Sequence, residues 1–219
     1  MQILKNRVEA GKKLSQAIKT ATKDAIVLAV PRGGVVVGFE VANALDLPLD
    51  VIVTKKIGAP DNPELAVGAV AEDGTFILDD DVLRRIYVPK EYIKEEVERQ
   101  RQEIQRRLMR YRGNVPYSDI KDREVIVVDD GVATGSTLKA ALRLVRSKGA
   151  KIVKVAIPVG PPETIRELKE LADQVVVLLT PEPFYAIGQF YEDFSQTSDE
   201  EVTELLRRSR ENRAKEVTD

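Results

Sequence analysis

The chain has 219 residues, with 34 Lys or Arg against 36 Asp or Glu and a formal net charge of −2, so no general attraction to nucleic acid or to an anionic membrane surface is expected. It has no cysteine, which excludes disulfides and thiol catalysis, and no histidine, which removes the usual general base and the usual transition-metal ligand. Any metal must be a hard one held by oxygen, such as Mg²⁺. In chain order, the opening MQILKNRVEAGKKLSQAIK reads as an amphipathic helix rather than a signal peptide. No apolar run reaches the roughly 18 residues of a membrane span, and the expected location is the cytoplasm. Asp24 to Val30 is a buried strand, Val35 to Leu45 has helical spacing, and Asp50 to Thr54 is a second strand. Val67–Val70 and Thr75–Leu78 flank Asp73-Gly74, a hairpin signal. Asp79-Asp80-Asp81 resembles a metal cluster but reads better as a helix N-terminus before Val82–Ile86. Pro89 to Tyr111 is a long charged helix with Gly113 just past its end. Its apolar stripe (Ile93, Val97, Ile104, Leu108, Tyr111) should pack on the body or on a second copy of the chain, which leaves a homodimer open. Val125–Val128, Ile152–Ile157 and Val175–Leu179 are three further strands, separated by helices at 137–148 and 162–172. Ser198 with Glu201 forms a capping-box pattern before a C-terminal helix, and the polar tail from about residue 212 is expected to fray.

Alternating strands and helices with short connections imply one α/β domain with a parallel five-stranded sheet flanked by helices. In such sheets ligands sit outside the carboxyl ends of the strands. Those ends carry the unusual residues of this sequence: PRGG at 31–34, TKK at 54–56, DDGVATGST at 129–137, PVGPPE at 158–163 and TPEPFY at 180–185.

VIVVDDGVATGST, residues 125–137, runs from a buried strand through two carboxylates into a glycine-hydroxyl turn and a helix. The turn offers backbone N–H groups, the positive end of a helix dipole and the hydroxyls of Thr134, Ser136 and Thr137, which together suit a phosphate monoester. Asp129 and Asp130 would repel that phosphate. They should therefore meet the neighbouring hydroxyls of a ribose, or an Mg²⁺ bridging to them. A diol with a phosphate about 5 Å away describes a ribose 5-phosphate. Asp-Asp-Gly alone is an ordinary turn, and Ser136 or Thr137 an ordinary N-cap. The buried strand, the second glycine and the three hydroxyls outweigh that reading. The Walker phosphate loop, which needs Gly-Lys-Ser/Thr, is absent.

This stretch resembles the signature of the type I phosphoribosyltransferases, which bind 5-phosphoribosyl 1-diphosphate (PRPP). PRGGVVVGFEVANAL resembles the pyrophosphate loop of the xanthine-guanine type. The wider pattern of EAG near residue 10, VTKKIGAPDNPELAVGA, PVGPPE and FYAIGQFYEDF is similar to an uncharacterised group of predicted phosphoribosyltransferases. The resemblance implies the type I fold and Mg²⁺-dependent transfer of ribose 5-phosphate to a small-molecule nitrogen acceptor such as a nucleobase. By analogy Asp129 and Asp130 hold the ribose hydroxyls, and Gly131, Val132, Ala133, Thr134, Gly135, Ser136 and Thr137 hold the 5-phosphate. Pro31, Arg32, Gly33 and Gly34 meet the pyrophosphate, with a cis Pro31–Arg32 peptide.

Arg32 can grip a pyrophosphate bidentately. Lys55 and Lys56, otherwise a solvated basic edge, can neutralise the same leaving group, and spacing does not choose between them. The stretch from 58 to 115 is too long for a simple connection and matches the position of a lid in the family. TPEPFYAIGQFYEDF offers Phe184, Tyr185, Phe190 and Tyr191 as a flat wall for a base, although any one of them can equally be core. This hood, about residues 181–197, is expected to join the N-terminal helix. Asp193 resembles the aspartate that meets Mg²⁺-pyrophosphate in some relatives. One departure stands out. Ala133 occupies the position where 6-oxopurine enzymes carry an Asp near the base, which argues against hypoxanthine and guanine. Two other readings use the same residues: a PRPP-sensing regulatory module, and a plain binder of nucleoside 5′-monophosphates.

Overall fold

A computed structural model describes residues 3–71, 74–113, 115 and 118–216. In chain order its helices are α1 (Arg7–Ala17), α2 (Gly33–Leu45), α3 (Asp80–Leu83), α4 (Lys90–Arg112), α5 (Ser136–Ser147), α6 (Pro162–Leu171) and α7 (Asp199–Glu216). The strands are β1 (Ile26–Ala29), β2 (Leu49–Val51), β3 (Lys55–Ala59), β4 (Asn62–Val70), β5 (Phe76–Leu78), β6 (Glu124–Val128), β7 (Ile152–Val159) and β8 (Gln174–Leu179).

The main sheet is five-stranded and parallel, in the order β2-β1-β6-β7-β8. Its central strands are apolar without interruption because both faces are covered. In β1, Val27 and Ala29 enter one core with α2 and α7, while Ile26 and Leu28 enter the other with α5 and α6. β6 repeats the alternation, with Ile126 and Val128 on the first side and Val125 and Val127 on the second. The chain runs from β1 to β2 on one side and later from β6 through β7 to β8 on the other. The switch point of the sheet is therefore the gap between β1 and β6.

β3, β4 and β5 form a separate antiparallel sheet. The expected hairpin is present as β4 and β5, with Val70 opposite Phe76; Asp73 lies outside the described residues, and Gly74 has φ +83°. Asp79 caps α3, its carboxylate accepting from the N–H groups of Asp81 and Val82 at 3.1 Å each, so the acidic run is a helix start as expected. α4 is capped by Pro89 and by Gly113 at φ +59°. Its stripe of Ile93, Ile104, Leu108 and Tyr111 is buried in the core that also contains α2 and α7. Ser198 accepts from the N–H of Glu201 at 3.1 Å, and α7 then continues to Glu216, into the stretch expected to fray. None of the described helices is long and apolar enough to cross a membrane.

One expectation is corrected. β2 ends at Val51, and Lys55 and Lys56 open β3 in the antiparallel sheet instead of ending a strand of the parallel one. KKIGA carries no apolar alternation, so only its pairing with β4, Lys55 opposite Val70, reveals a strand.

Candidate active site at the switch point

The PRGG turn leaves β1 and the Asp129-Asp130 pair leaves β6, side by side at the switch point. The N–H of Val30 donates to the carbonyl of Val128 at 2.8 Å and ties the two strand ends together. The Pro31–Arg32 peptide is cis, as expected from the sequence. The two glycines are required by contact. A Cβ on Gly34 would lie 2.9 Å from the Cα of Asp129, and one on Gly33 would lie 1.9 Å from Oδ2 of Asp130. PRGG and DDG thus abut in one candidate site, packed too closely for a side chain to fit between them without displacement.

The two carboxylates have different surroundings. Oδ1 of Asp129 accepts the N–H of Asp130 at 2.8 Å. Removal from water, and then the neighbouring charge of Asp130, hold the Asp129 carboxyl well above the usual carboxylate range. Oδ2 of Asp130 instead accepts Nε of Arg7 at 2.7 Å, with the two side chains 14% and 11% exposed. Nη1 of Arg7 also donates to the carbonyl of Ser195 at 2.7 Å, and its guanidinium lies 3.9 Å from the centre of the Phe194 ring. The hydroxyl of Tyr191 donates to the carbonyl of Asp130 at 2.7 Å, and burial pushes the Tyr191 phenol up. Arg7 is one functional candidate that sequence reasoning missed. It lies 123 residues from Asp130 on an ordinary charged helix, where no local pattern marks it.

The turn after the aspartates leads directly into α5. The N–H of Val132 donates to the carbonyl of Val159 at 2.9 Å, and Thr164 Oγ1 donates to the carbonyl of Ala133 at 2.6 Å. Gly135 caps the helix at φ +76° without a side-chain hydrogen bond, so no side chain covers the first N–H groups of α5. Ala133, Thr134, Ser136 and Thr137 are exposed, with Thr134 Oγ1 3.4 Å from Ser136 Oγ. Gly131 and Gly135 are buried, the Val132 side chain belongs to the core and its N–H is taken by Val159, so Val132 shapes the turn and donates nothing to a ligand.

Pro31 and Arg32 line a cleft of about 260 Å³ with Arg106, Arg107, Arg110 and Asp199. Lys55 and Lys56 are both half-buried. Successive strand residues face opposite ways, and it is Lys55 whose charge is felt by Arg106, Arg107 and Glu103. Burial, and then Arg107, lower its ammonium from the ordinary range. On the other side of the aspartates, Phe190 is fully buried and stacks on Phe184 at 5.2 Å, Tyr191 is buried, and Tyr185 is 81% exposed. This segment is tied to the residues before α1: the N–H of Leu4 donates to the carbonyl of Phe190 and that of Glu192 to the carbonyl of Leu4, each at 2.8 Å. Asp193 is exposed, accepts the N–H of Ser195 at 3.0 Å, and lines a small cleft with Asn6 and Arg7.

The phosphoribosyl transferase domain family matches residues 2–194, a span that takes in every feature just described except Ser195 and Asp199. The chain belongs to this family. It is 43% identical over 210 residues to Rv0571c of Mycobacterium tuberculosis, named for phosphoribosyl transferase, a match covering 95% of this chain and 47% of that protein. The chain thus spans about half the length of the curated relatives it matches. The crystal structure of TT1426 from Thermus thermophilus superposes with a TM-score of 0.86 at 43% identity, covering 94% of this chain and 98% of that one. A shorter match, 47% identical over 57 residues and covering 26% of this chain and 27% of the relative, is to the uracil phosphoribosyltransferase of Clostridioides difficile.

Within this phosphoribosyl transferase domain the close fit of Gly33 can be tested directly. Gly33→Ala is expected to push the Asp130 carboxylate off Arg7 and to cost about 1–3 kcal/mol by overpacking. Thermal melting checks it, and a melting temperature equal to that of the wild type would show that the contact relaxes freely.

Proposed function

We propose that the protein transfers the 5-phosphoribosyl group of PRPP to a nitrogen acceptor with release of pyrophosphate. The observation that carries this reading is the abutment of PRGG on Asp129-Asp130 at the sheet's switch point, with the uncapped start of α5 beside them. A donor with a diphosphate at one end, a diol in the middle and a phosphate at the other end matches that order of groups. In the reaction a C1–N bond to the acceptor forms, the C1–O bond breaks with its electron pair leaving on pyrophosphate, and the acceptor nitrogen's proton passes to water or to the departing pyrophosphate. The 5-phosphate takes the turn of Gly131 to Thr137 through backbone N–H groups and the exposed hydroxyls of Thr134, Ser136 and Thr137. Asp129 and Asp130 orient the ribose hydroxyls, with Arg7 keeping Asp130 in place. Arg32 and Lys55 take up the charge that builds on departing pyrophosphate, which lowers the barrier more than it favours the ground state. Lys56 is the weaker candidate, since it does not share the α4 side of β3.

The donor set fits Mg²⁺. Among the described residues no group of three or more potential metal-ligating side chains gathers into a cage. Mg²⁺ commonly uses one or two carboxylates, with the rest of its oxygens from substrate and water. Asp129 and Asp130, acting through the ribose hydroxyls, would hold it here; Asp193 is the weaker candidate, its carboxylate already accepting the N–H of Ser195. Bound there, the ion supplies positive charge to the leaving group.

We assign a nucleobase as the acceptor class, with Phe184 and Tyr185 as the facing wall, Phe190 and Tyr191 buried beneath it, and the cytoplasm as the location. Ala133 is exposed beside the turn and carries no proton acceptor. Hypoxanthine and guanine are therefore expected to react poorly compared with a true acceptor, since loss of a general base typically costs about 10²–10⁴ in rate. Comparing kcat/KM for adenine, guanine, hypoxanthine, xanthine and uracil at equal PRPP checks this. Efficient guanine or hypoxanthine turnover would show that another group takes the proton. A screen of bases and amines with PRPP and Mg²⁺, following pyrophosphate release, tests the activity itself. The same lack of a base-side proton acceptor favours the second reading, a PRPP-binding regulatory protein. Tight PRPP binding without turnover of any acceptor would select it.

A further inference from the structure

α4 belongs to the segment between β2 and β6, outside the parallel sheet, and its buried stripe accounts for only one of its faces. Arg106, Arg107 and Arg110 project from its last turns into the cleft floored by Pro31 and Arg32. The helix end is fixed on two sides. The hydroxyl of Tyr111 donates to Asp199 at 2.6 Å, and Nε of Arg112 donates to buried Asp50 at 2.6 Å. The arginines are thus carried on a rigid element facing the PRGG turn. Arg106 and Arg107 share Glu103, each through Nε at 3.0 Å, and Arg106 with Arg107 holds the Glu103 carboxyl down to about 2. Arg110 pairs with Asp199 and Glu200. Neither Arg32 nor Lys55 forms an ion pair among the described residues. Arg32, Lys55, Arg106, Arg107 and Arg110 therefore face Glu103, Asp199 and Glu200, an excess of positive charge gathered from three separate elements.

We propose that Arg106 and Arg107 are diphosphate ligands, closing from α4 over an anion that Arg32 holds from below. This deepens the phosphoribosyl-transfer reading, on which it rests for the molecule that carries the diphosphate. The chemistry of the cleft selects the ligand class. Its walls are guanidinium forks with no aromatic face, so it suits no nucleobase. A single carboxylate would satisfy one fork, whereas guanidiniums converging from the turn and from the helix suit an anion with two adjacent charged centres. An Arg-Glu helix face alone would be an ordinary solvated surface. What separates this one from that case is Arg32, brought by a different element into the same cleft, where the nearby Asp199 is already bonded to Arg110 and Tyr111. Glu103 holds the two α4 side chains until the anion arrives, and the exposure of Arg106, at 71%, leaves it free to turn.

The experiment titrates inorganic pyrophosphate and, separately, ribose 5-phosphate into the wild type, Arg106→Ala/Arg107→Ala, Asp129→Asn/Asp130→Asn, and Arg207→Ala as a remote control. Pyrophosphate affinity is expected to fall about tenfold or more in the double arginine variant, to hold in the control, and to fall steeply with salt in the wild type. Ribose 5-phosphate affinity should be unchanged by loss of the arginines. Undetectable pyrophosphate binding to the wild type, no weakening in the arginine variant, or equal weakening of both ligands would overturn the proposal. Loss of pyrophosphate affinity with the arginines, alongside ribose 5-phosphate binding indifferent to the aspartates, would uphold this site while removing the phosphoribosyl-transfer reading.

Discussion

Asp129→Asn/Asp130→Asn is expected to lower PRPP affinity by about 10²–10⁴, since hydrogen bonds to charged groups contribute about 1.5–3 kcal/mol each. Titration of PRPP in the presence of Mg²⁺ reads this directly, and unchanged affinity in the double variant would remove the ribose assignment. Stability should move differently. An acid whose pKa is raised by folding destabilises the fold once it is ionised. The effect grows as pH rises from the unfolded pKa through the folded one. Asp129 is such an acid, because burial and Asp130 disfavour its charge. Asp129→Asn alone is therefore expected to keep or raise the melting temperature at neutral pH while weakening PRPP binding. Asp130 differs, because its charge is matched by Arg7 at 2.7 Å. Asp130→Asn leaves that guanidinium without its carboxylate and is expected to lower the melting temperature.

Arg112→Met should produce the largest loss of stability. Arg112 and Asp50 are each 5% exposed at the side chain and joined at 2.6 Å. Asp50 also accepts the Ser118 hydroxyl at 3.0 Å and its N–H at 3.3 Å. Removing one partner of a buried pair strands the other charge, at about 3–5 kcal/mol, or roughly 6–20 °C in melting temperature for a chain of this size. Asp50→Leu/Arg112→Met should recover part of that loss, because no buried charge is left unmatched. A double variant as unstable as the single would show that Arg112 acts through packing instead. Since Arg112 ends α4, the single variant also tests whether the anchor sets the position of Arg106 and Arg107. Pyrophosphate affinity should then fall well below the folding midpoint, where the protein is still native.

The sequence by itself determined the parallel sheet, its helices, and the acidic turn at the end of β6. Uninterrupted apolar runs such as IVLA in β1 and VIVV in β6 identify strands covered on both faces, and helical spacing identifies α2, α4, α5 and α6. Caps are equally local: Asp79 before α3, Pro89 and Gly113 around α4, and Ser198 before α7 depend on residues within a turn of each other. The local structure of DDGVATGST was legible for the same reason, since strand end, carboxylates, turn and helix start are contiguous. The tertiary structure alone decided which distant residues share the site. Whether the glycines of PRGG serve a turn or a close approach depends on Asp130, which the fold brings within 1.9 Å of a Cβ at Gly33. Lys55 and Lys56 are indistinguishable by spacing, and pairing with β4 turns one of them toward α4. Arg7, Arg106 and Arg107 are three charged residues among 34 Lys and Arg on helices whose pattern records only which face is apolar. Apolar periodicity encodes what each element buries. Which polar face meets which loop is set by where α1 and α4 pack in the fold, and it leaves no mark in either helix's own sequence.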